Sequence, residues 1–239
     1  SSPNLRKEML ISKHFCPQPF VYVYPNHDGS WKPCCKTGRY QKKKMTFDEW
    51  WYEDQDLKDL REALLSDEWS KPLEDVCGPC FGPESRGVKS YRQHQVDAWS
   101  DEPARQKMEK LVSFFKTTGE VQAGDRVFVI QVKGIGNHCN LKCYMCTPHN
   151  STSRTTEMLK ATEESAKLFY PEWGMKRIIY NKTAYLDNEN EKKQLFDVIE
   201  ELGPHIKKLN FSGGEPAMID NYYDLMDKII DTGNSKKIQ

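Results

Sequence analysis

Apolar positions first alternate and then recur at helical spacing along this chain. Phe20-Val21-Tyr22-Val23-Tyr24 reads as a strand, Asp28-Gly29 as a hairpin turn, and Trp31 as the start of the return strand. Thr46-Phe47-Asp48-Glu49 is a capping box, and Trp50, Leu57, Leu60 and Leu64 follow on one helical face. A polar bridge from Gly87 to Asp101 has helical character over Tyr91–Trp99, and Asp101-Glu102-Pro103 opens a helix striped by Met108, Leu111, Val112 and Phe115. Gly119–Asp125 reads as a linker. The pattern then predicts a strand over 126–133, a polar loop, a helix over about 151–168, and a partly polar insertion holding Trp173, Tyr180 and Tyr185 as local packing. A helix over about 189–202, a strand over 207–211 and a helix over about 219–231 follow, and Lys236-Lys237-Ile238-Gln239 resembles the opening of a further strand. No internal repeat is evident.

The chemistry lies in the loops after the two later strands. The first carries Cys139, Cys143 and Cys146 in a C-x3-C-x2-C set, and the second carries Ser212-Gly213-Gly214-Glu215-Pro216. Three thiolates on so short a segment leave one iron of a 4Fe–4S cluster without a protein ligand. Structural zinc favours paired knuckles with four ligands, and His138 stands too close to Cys139 to chelate beside it without strain. Adjacent glycines mark a turn, and they also let backbone approach a ligand closely.

The amino-terminal half carries five more cysteines: Cys16 before the first strand, Cys34 and Cys35 after the hairpin, and Cys77-Gly78-Pro79-Cys80 after the first long helix. Free cysteine is often a small buried hydrophobe. Two distant thiol pairs suit tetrahedral zinc as well as an iron–sulfur cluster.

A triple-cysteine loop after one strand and a Gly-Gly-Glu-Pro loop after the next resemble the radical S-adenosylmethionine (SAM) family. The resemblance implies a 4Fe–4S cluster on Cys139, Cys143 and Cys146, with SAM chelating the open iron through its amino and carboxylate groups. Reductive cleavage of SAM would then yield a 5′-deoxyadenosyl radical that abstracts a substrate hydrogen. It further implies that Gly213, Gly214 and Glu215 hydrogen-bond the methionine amino group, that Pro216 rigidifies the turn, and that Tyr144 and Met145 lie near the adenine. The family usually places an aromatic residue before the last cysteine, where this chain has Met145.

The order cysteine, hairpin, cysteine, helix and C-x2-C resembles the twitch half of the SPASM/twitch auxiliary-cluster domain. That resemblance implies a second 4Fe–4S cluster held by Cys16, Cys34, Cys77 and Cys80, with Cys35 spare or exchanging roles with Cys34. The module ordinarily follows the barrel, whereas here it precedes it.

The expected fold is therefore α/β, a truncated radical SAM partial (βα) barrel preceded by a small α+β twitch-like iron–sulfur module. Residues 1–100 would form the auxiliary domain, 101–124 a helical linker, and 125–239 the amino-terminal part of the core. At about 30 residues per strand–helix unit a whole barrel needs more chain than follows Arg126, and the sequence lacks an initiator methionine, so it reads as a piece of a longer protein. The family implies a flavodoxin or ferredoxin as electron donor and a peptide or small molecule as substrate. The alternatives are a zinc-binding structural or interaction protein, or a catalytically incomplete radical SAM fragment.

Composition narrows this little further. Thirty-five basic residues balance 35 acidic ones over 239, so no electrostatic argument favours nucleic acid, and Lys42-Lys43-Lys44 reads as a solvated loop. No apolar run approaches the ~20 residues that span a bilayer, and no signal peptide is visible. Six tryptophans and eleven tyrosines indicate a real core. Cysteines grouped in motifs point to reduced thiolates and a cytoplasmic setting.

Overall fold

A computed structural model describes residues 11–26, 29–40, 44–121, 127–133, 136–160, 162–169 and 189–239. The sequence readings at Asp28, at Lys42 and Lys43, and at Trp173, Tyr180 and Tyr185 lie outside these residues. The protein is a mixed α/β chain, mostly helical, with one small sheet of order β2-β1-β3-β4. The strands are β1 (Tyr22–Pro25), β2 (Trp31–Lys32), β3 (Phe128–Val132) and β4 (Ile206–Phe211). The chain divides into two compact units. The first is Ser1–Tyr24 with Trp31–Val129, and the second is Pro25–Ser30 with Ile130–Gln239.

The first unit carries α1 (Gln18–Val21), α2 (Gln55–Leu65), α3 (Lys71–Glu84), α4 (Tyr91–Ala98) and α5 (Ala104–Thr118). The capping box forms as its sequence predicts: the Glu49 carboxylate accepts the Thr46 N–H at 2.8 Å, and the Thr46 hydroxyl accepts the Glu49 N–H at 3.3 Å. It opens a π-helical turn, Glu49–Glu53, that buries Trp50 and Trp51 before α2 begins. These indoles pack with Trp31, Phe47 and Phe128 at ring-centroid distances of 5.2–6.1 Å. A second cluster joins Phe15, Phe20 and Val21 to Trp99 and to the α5 stripe Met108, Leu111, Val112 and Phe115. Helix α5 thus belongs to the core of this unit, and it ends on left-handed Gly119.

Helix α3 contains Cys77 and Cys80 together with two internal prolines, Pro79 and Pro83. The C-x2-C follows the first long helix, as the sequence reading has it, and lies on a further helix of its own. It is helical because its lost hydrogen bonds are made elsewhere. Pro79 has no N–H to give the Asp75 carbonyl, and that carbonyl instead accepts the Arg39 N–H at 2.7 Å, beside a Gly38 N–H to Val76 bond of 2.8 Å.

The second unit carries α6 (Thr152–Met158), α7 (Glu163–Phe169), α8 (Glu189–Leu202) and α9 (Asp220–Asp231). The single helix expected over 151–168 is two helices, because the Thr162 hydroxyl caps a new start by accepting the Ser165 N–H at 3.2 Å. Leu195, Val198, Ile199 and Leu202 of α8, Ile206 of β4, and Leu225 and Ile229 of α9 are buried. Ion pairs join the two helices, with Lys228 at 2.6 Å from Glu200 and Lys192 at 3.2 Å from Asp224. Gln239 pairs with Lys207 and Leu209 of β4 through 3.1 and 3.0 Å backbone bonds. Among the described residues no helix is long and apolar enough to cross a membrane.

Candidate metal centres

Two groups of thiols arise, one in each unit, and all eight cysteines are free. In the first unit one small cavity is lined by Cys16, Cys34, Cys77 and Cys80. Cys16 sits just ahead of α1, Cys34 follows β2, and Cys77 and Cys80 lie on α3, so three separate segments deliver the four thiols. The bonds that α3 receives from Gly38 and Arg39 hold the Cys34 segment against that helix. Gly38 is required there, since a Cβ would stand 2.5 Å from the Asp75 carbonyl oxygen.

Burial pushes the Cys16 thiol well above its ordinary range, and the neighbouring Cys77 and Cys80 add to the shift. Burial likewise pushes Cys77 up to about 12, with Cys80 contributing next. Such thiols stay protonated at neutral pH until a metal displaces the proton. Cys35 differs from them. It does not line the cavity, and a hydrogen bond from Cys34, with others from the Tyr22 and Tyr91 hydroxyls, holds its thiol below the usual range. The same Cys34–Cys35 bond raises Cys34.

The donor set fits an all-cysteine cluster. The Thr37 hydroxyl lines this cavity and is buried with no hydrogen-bond partner, leaving a free donor for a cluster sulfur. Arg92 also lines it, a charged residue that sequence reasoning missed. Its visible signal was only the Ser90-x-x-Gln93 cap that starts α4, a box the structure forms.

In the second unit Cys139, Cys143 and Cys146 lie on the loop that leaves β3. Cys139 is buried, Cys146 half-buried and Cys143 exposed. The Leu141 N–H points at the Cys139 sulfur at 3.4 Å, and the Cys146 N–H closes a turn on the Cys143 carbonyl at 2.9 Å. The start of α6 ties the loop down, with the Thr152 N–H on the Asn137 carbonyl at 3.0 Å and the Ser153 hydroxyl on the Cys139 carbonyl at 2.5 Å. Burial raises the Cys146 thiol, and Cys139 and Cys143 raise it further, so the three sulfurs sense one another. His138 is exposed. Tyr144 and Met145 project into solvent, 99% and 91% exposed.

The Gly-Gly-Glu-Pro turn lies against this loop. The Ser212 N–H bonds the Val132 carbonyl at 3.0 Å, which puts both loops at the carboxyl ends of neighbouring strands. The Gly214 N–H then bonds the Asn150 carbonyl at 2.7 Å, and the Glu215 N–H bonds the His138 carbonyl at 2.8 Å. Gly213 and Gly214 both have left-handed φ, 93° and 62°. A Cβ on Gly214 would stand 2.5 Å from the His138 carbonyl oxygen. Pro216 starts a short 3-10 turn, Pro216–Met218. Gly214→Ala should therefore part the two loops at a cost of about 1–3 kcal/mol, read as a lower melting temperature of the metal-free protein.

Beside this junction the Asn137 amide nitrogen and the Asn150 side-chain oxygen are buried without partners. A free donor and a free acceptor suit the carboxylate and ammonium of an amino-acid moiety, so the residues present fit SAM. Among the described residues, no three His, Cys, Asp or Glu side chains stand close enough to hold one metal ion. The chain matches no protein-family model, no curated protein and no solved structure.

Proposed function

We propose that this chain is part of a radical SAM enzyme with an amino-terminal auxiliary cluster. The observation that carries this reading is the docking of the Gly213–Glu215 turn onto the Cys139–Cys146 loop through the 2.8 Å Glu215–His138 bond. Cys139, Cys143 and Cys146 would hold the first 4Fe–4S cluster, and Gly213, Gly214, Glu215, Asn137 and Asn150 the methionine moiety of SAM. Cys16, Cys34, Cys77 and Cys80 would hold the second. When bound, the first cluster supplies the electron that cleaves the SAM sulfonium, and the resulting radical chemistry belongs to the cofactor. The chain's own residues bind and orient: Thr152 and Ser153 fix the cysteine loop, Gly214 lets the second loop close on it, and the buried asparagines offer the amino-acid group its partners. The barrel, the flavodoxin- or ferredoxin-type donor, the cytoplasmic setting and a peptide or small-molecule substrate are parts of the same proposal.

The test is the iron, acid-labile sulfide and zinc content of anaerobically purified and reconstituted protein. About two 4Fe–4S clusters per chain are expected. Stoichiometric zinc without sulfide sinks the reading, and the chain is then a zinc-stabilised binding protein.

A further inference from the structure

We propose that Arg92, clamped by Glu84, is a positioning residue that raises the reduction potential of the four-cysteine site. The inference rests on the auxiliary-cluster reading and names the buried cation of that site, since Lys36, which also lines the cavity, is exposed. Arg92 comes from α4 and lines the cavity with Cys16, Cys34, Cys77 and Cys80, whereas Glu84 does not. Its side chain is 10% exposed and that of Glu84 13%, so the pair is largely out of water. The guanidinium makes a fork on the Glu84 carboxylate, with the Nε bond at 2.9 Å, and donates from Nη1 to the Phe15 carbonyl at 2.7 Å. It also covers the Phe81 ring, 4.8 Å from the centroid.

Phe15 precedes Cys16 and Phe81 follows Cys80, so one side chain ties together two segments that deliver thiols. A Ser90 hydroxyl bond holds the same Glu84 carboxylate. Reducing a four-thiolate cluster adds a negative charge. A cation at the cavity wall, partly shielded from solvent, favours that added charge, and net charge is one of the levers on cluster potential. Glu84, which does not line the cavity, works the other way from farther out.

The experiment uses the full chain carrying Cys139→Ala, Cys143→Ala and Cys146→Ala, so that only the auxiliary cluster remains. That cluster is reduced stepwise with titanium(III) citrate and followed by electron paramagnetic resonance. Arg92→Gln should make reduction about tenfold less favourable, a fall of about 59 mV for one electron, and Glu84→Gln should move the potential upward. Arg92→Lys, which keeps the charge but loses the fork, should stay near the parent potential while lowering cluster occupancy. If Arg92→Gln does not fold, an upward shift in Glu84→Gln together with a parent-like potential in Arg92→Lys decides the matter. Unchanged potentials, or shifts of one sign for both neutral variants, mean that the pair is only structural and overturn the proposal. A triple-alanine background without iron and sulfide removes the auxiliary cluster itself, and the inference falls with it.

Discussion

If the chain holds the two proposed clusters, Cys143→Ala is expected to remove about half of the iron and sulfide from the reconstituted protein and with them any SAM cleavage. The metal-free fold should melt within roughly 2 °C of the parent. The single substitution is informative because of where the thiol stands. Cys143 is exposed, no hydrogen bond of its side chain holds the loop, and its neighbours Tyr144 and Met145 are 99% and 91% exposed. Its removal creates no cavity and strands no polar partner, so nothing in the packing accounts for a lost cluster except a lost ligand. Cys139 is a less clean choice, since it is buried and its sulfur lies 3.4 Å from the Leu141 N–H. Full iron and sulfide content in Cys143→Ala would refute the open-site ligand set. Retained zinc binding with no sulfide in either protein would instead favour a structural site.

Local pattern predicted much of the frame. The alternation of Phe128, Ile130 and Val132 gives a strand with those three residues buried, and the stripe Met108, Leu111, Val112 and Phe115 is wholly inside. The helix expected over about 189–202 has those limits. Each of these signals is carried by neighbours in the sequence. What the pattern could not show depends on partners far away along the chain. The helix through Cys77 and Cys80 tolerates Pro79 because Arg39, from a loop far earlier, takes the Asp75 carbonyl that the proline leaves free. Thr162 reads as one polar residue in a helical stretch, and its capping geometry divides that stretch in two.

The candidate sites were legible to a similar depth. The motif residues were named by the family resemblance, and the choice between Cys34 and Cys35 stayed open. In the structure Cys34 lines the cavity, while Cys35 is drawn to Tyr22 across the hairpin and to Tyr91, far along the chain. Thr37 and Gly38 carry no motif, and Arg92 only sits inside the Ser90-x-x-Gln93 cap. Each matters through a cavity wall or a close backbone approach, which only the assembled fold defines.

Gly38→Ala is expected to empty the four-cysteine site while sparing the other. The added methyl would meet the Asp75 carbonyl oxygen at 2.5 Å and the Pro79 ring at 3.3 Å, and neither can yield, one being backbone and the other a closed ring in a helix. The loop must move off α3, and with it go the Gly38–Val76 and Arg39–Asp75 bonds of 2.8 and 2.7 Å. Asp75 cannot recover an intrahelical donor, because residue 79 is proline. The expected cost is about 1–3 kcal/mol, modest because the loop surface reaches water, so the protein still folds. Its consequence for chemistry is larger, since Cys34 rides on the displaced loop and a closed cluster site needs all four of its thiolates.

Reconstituted Gly38→Ala should therefore carry about one cluster instead of two, and the one it keeps should still respond spectroscopically to SAM. Pro79→Ala provides the control. It returns an N–H to α3 without adding bulk at the loop, so the Asp75 carbonyl can share two donors and both clusters should remain. If Gly38→Ala keeps full iron and sulfide, the contact with α3 does not position Cys34. If it loses both clusters together, the two sites do not load independently, and the assignment of one ligand set to each unit is wrong.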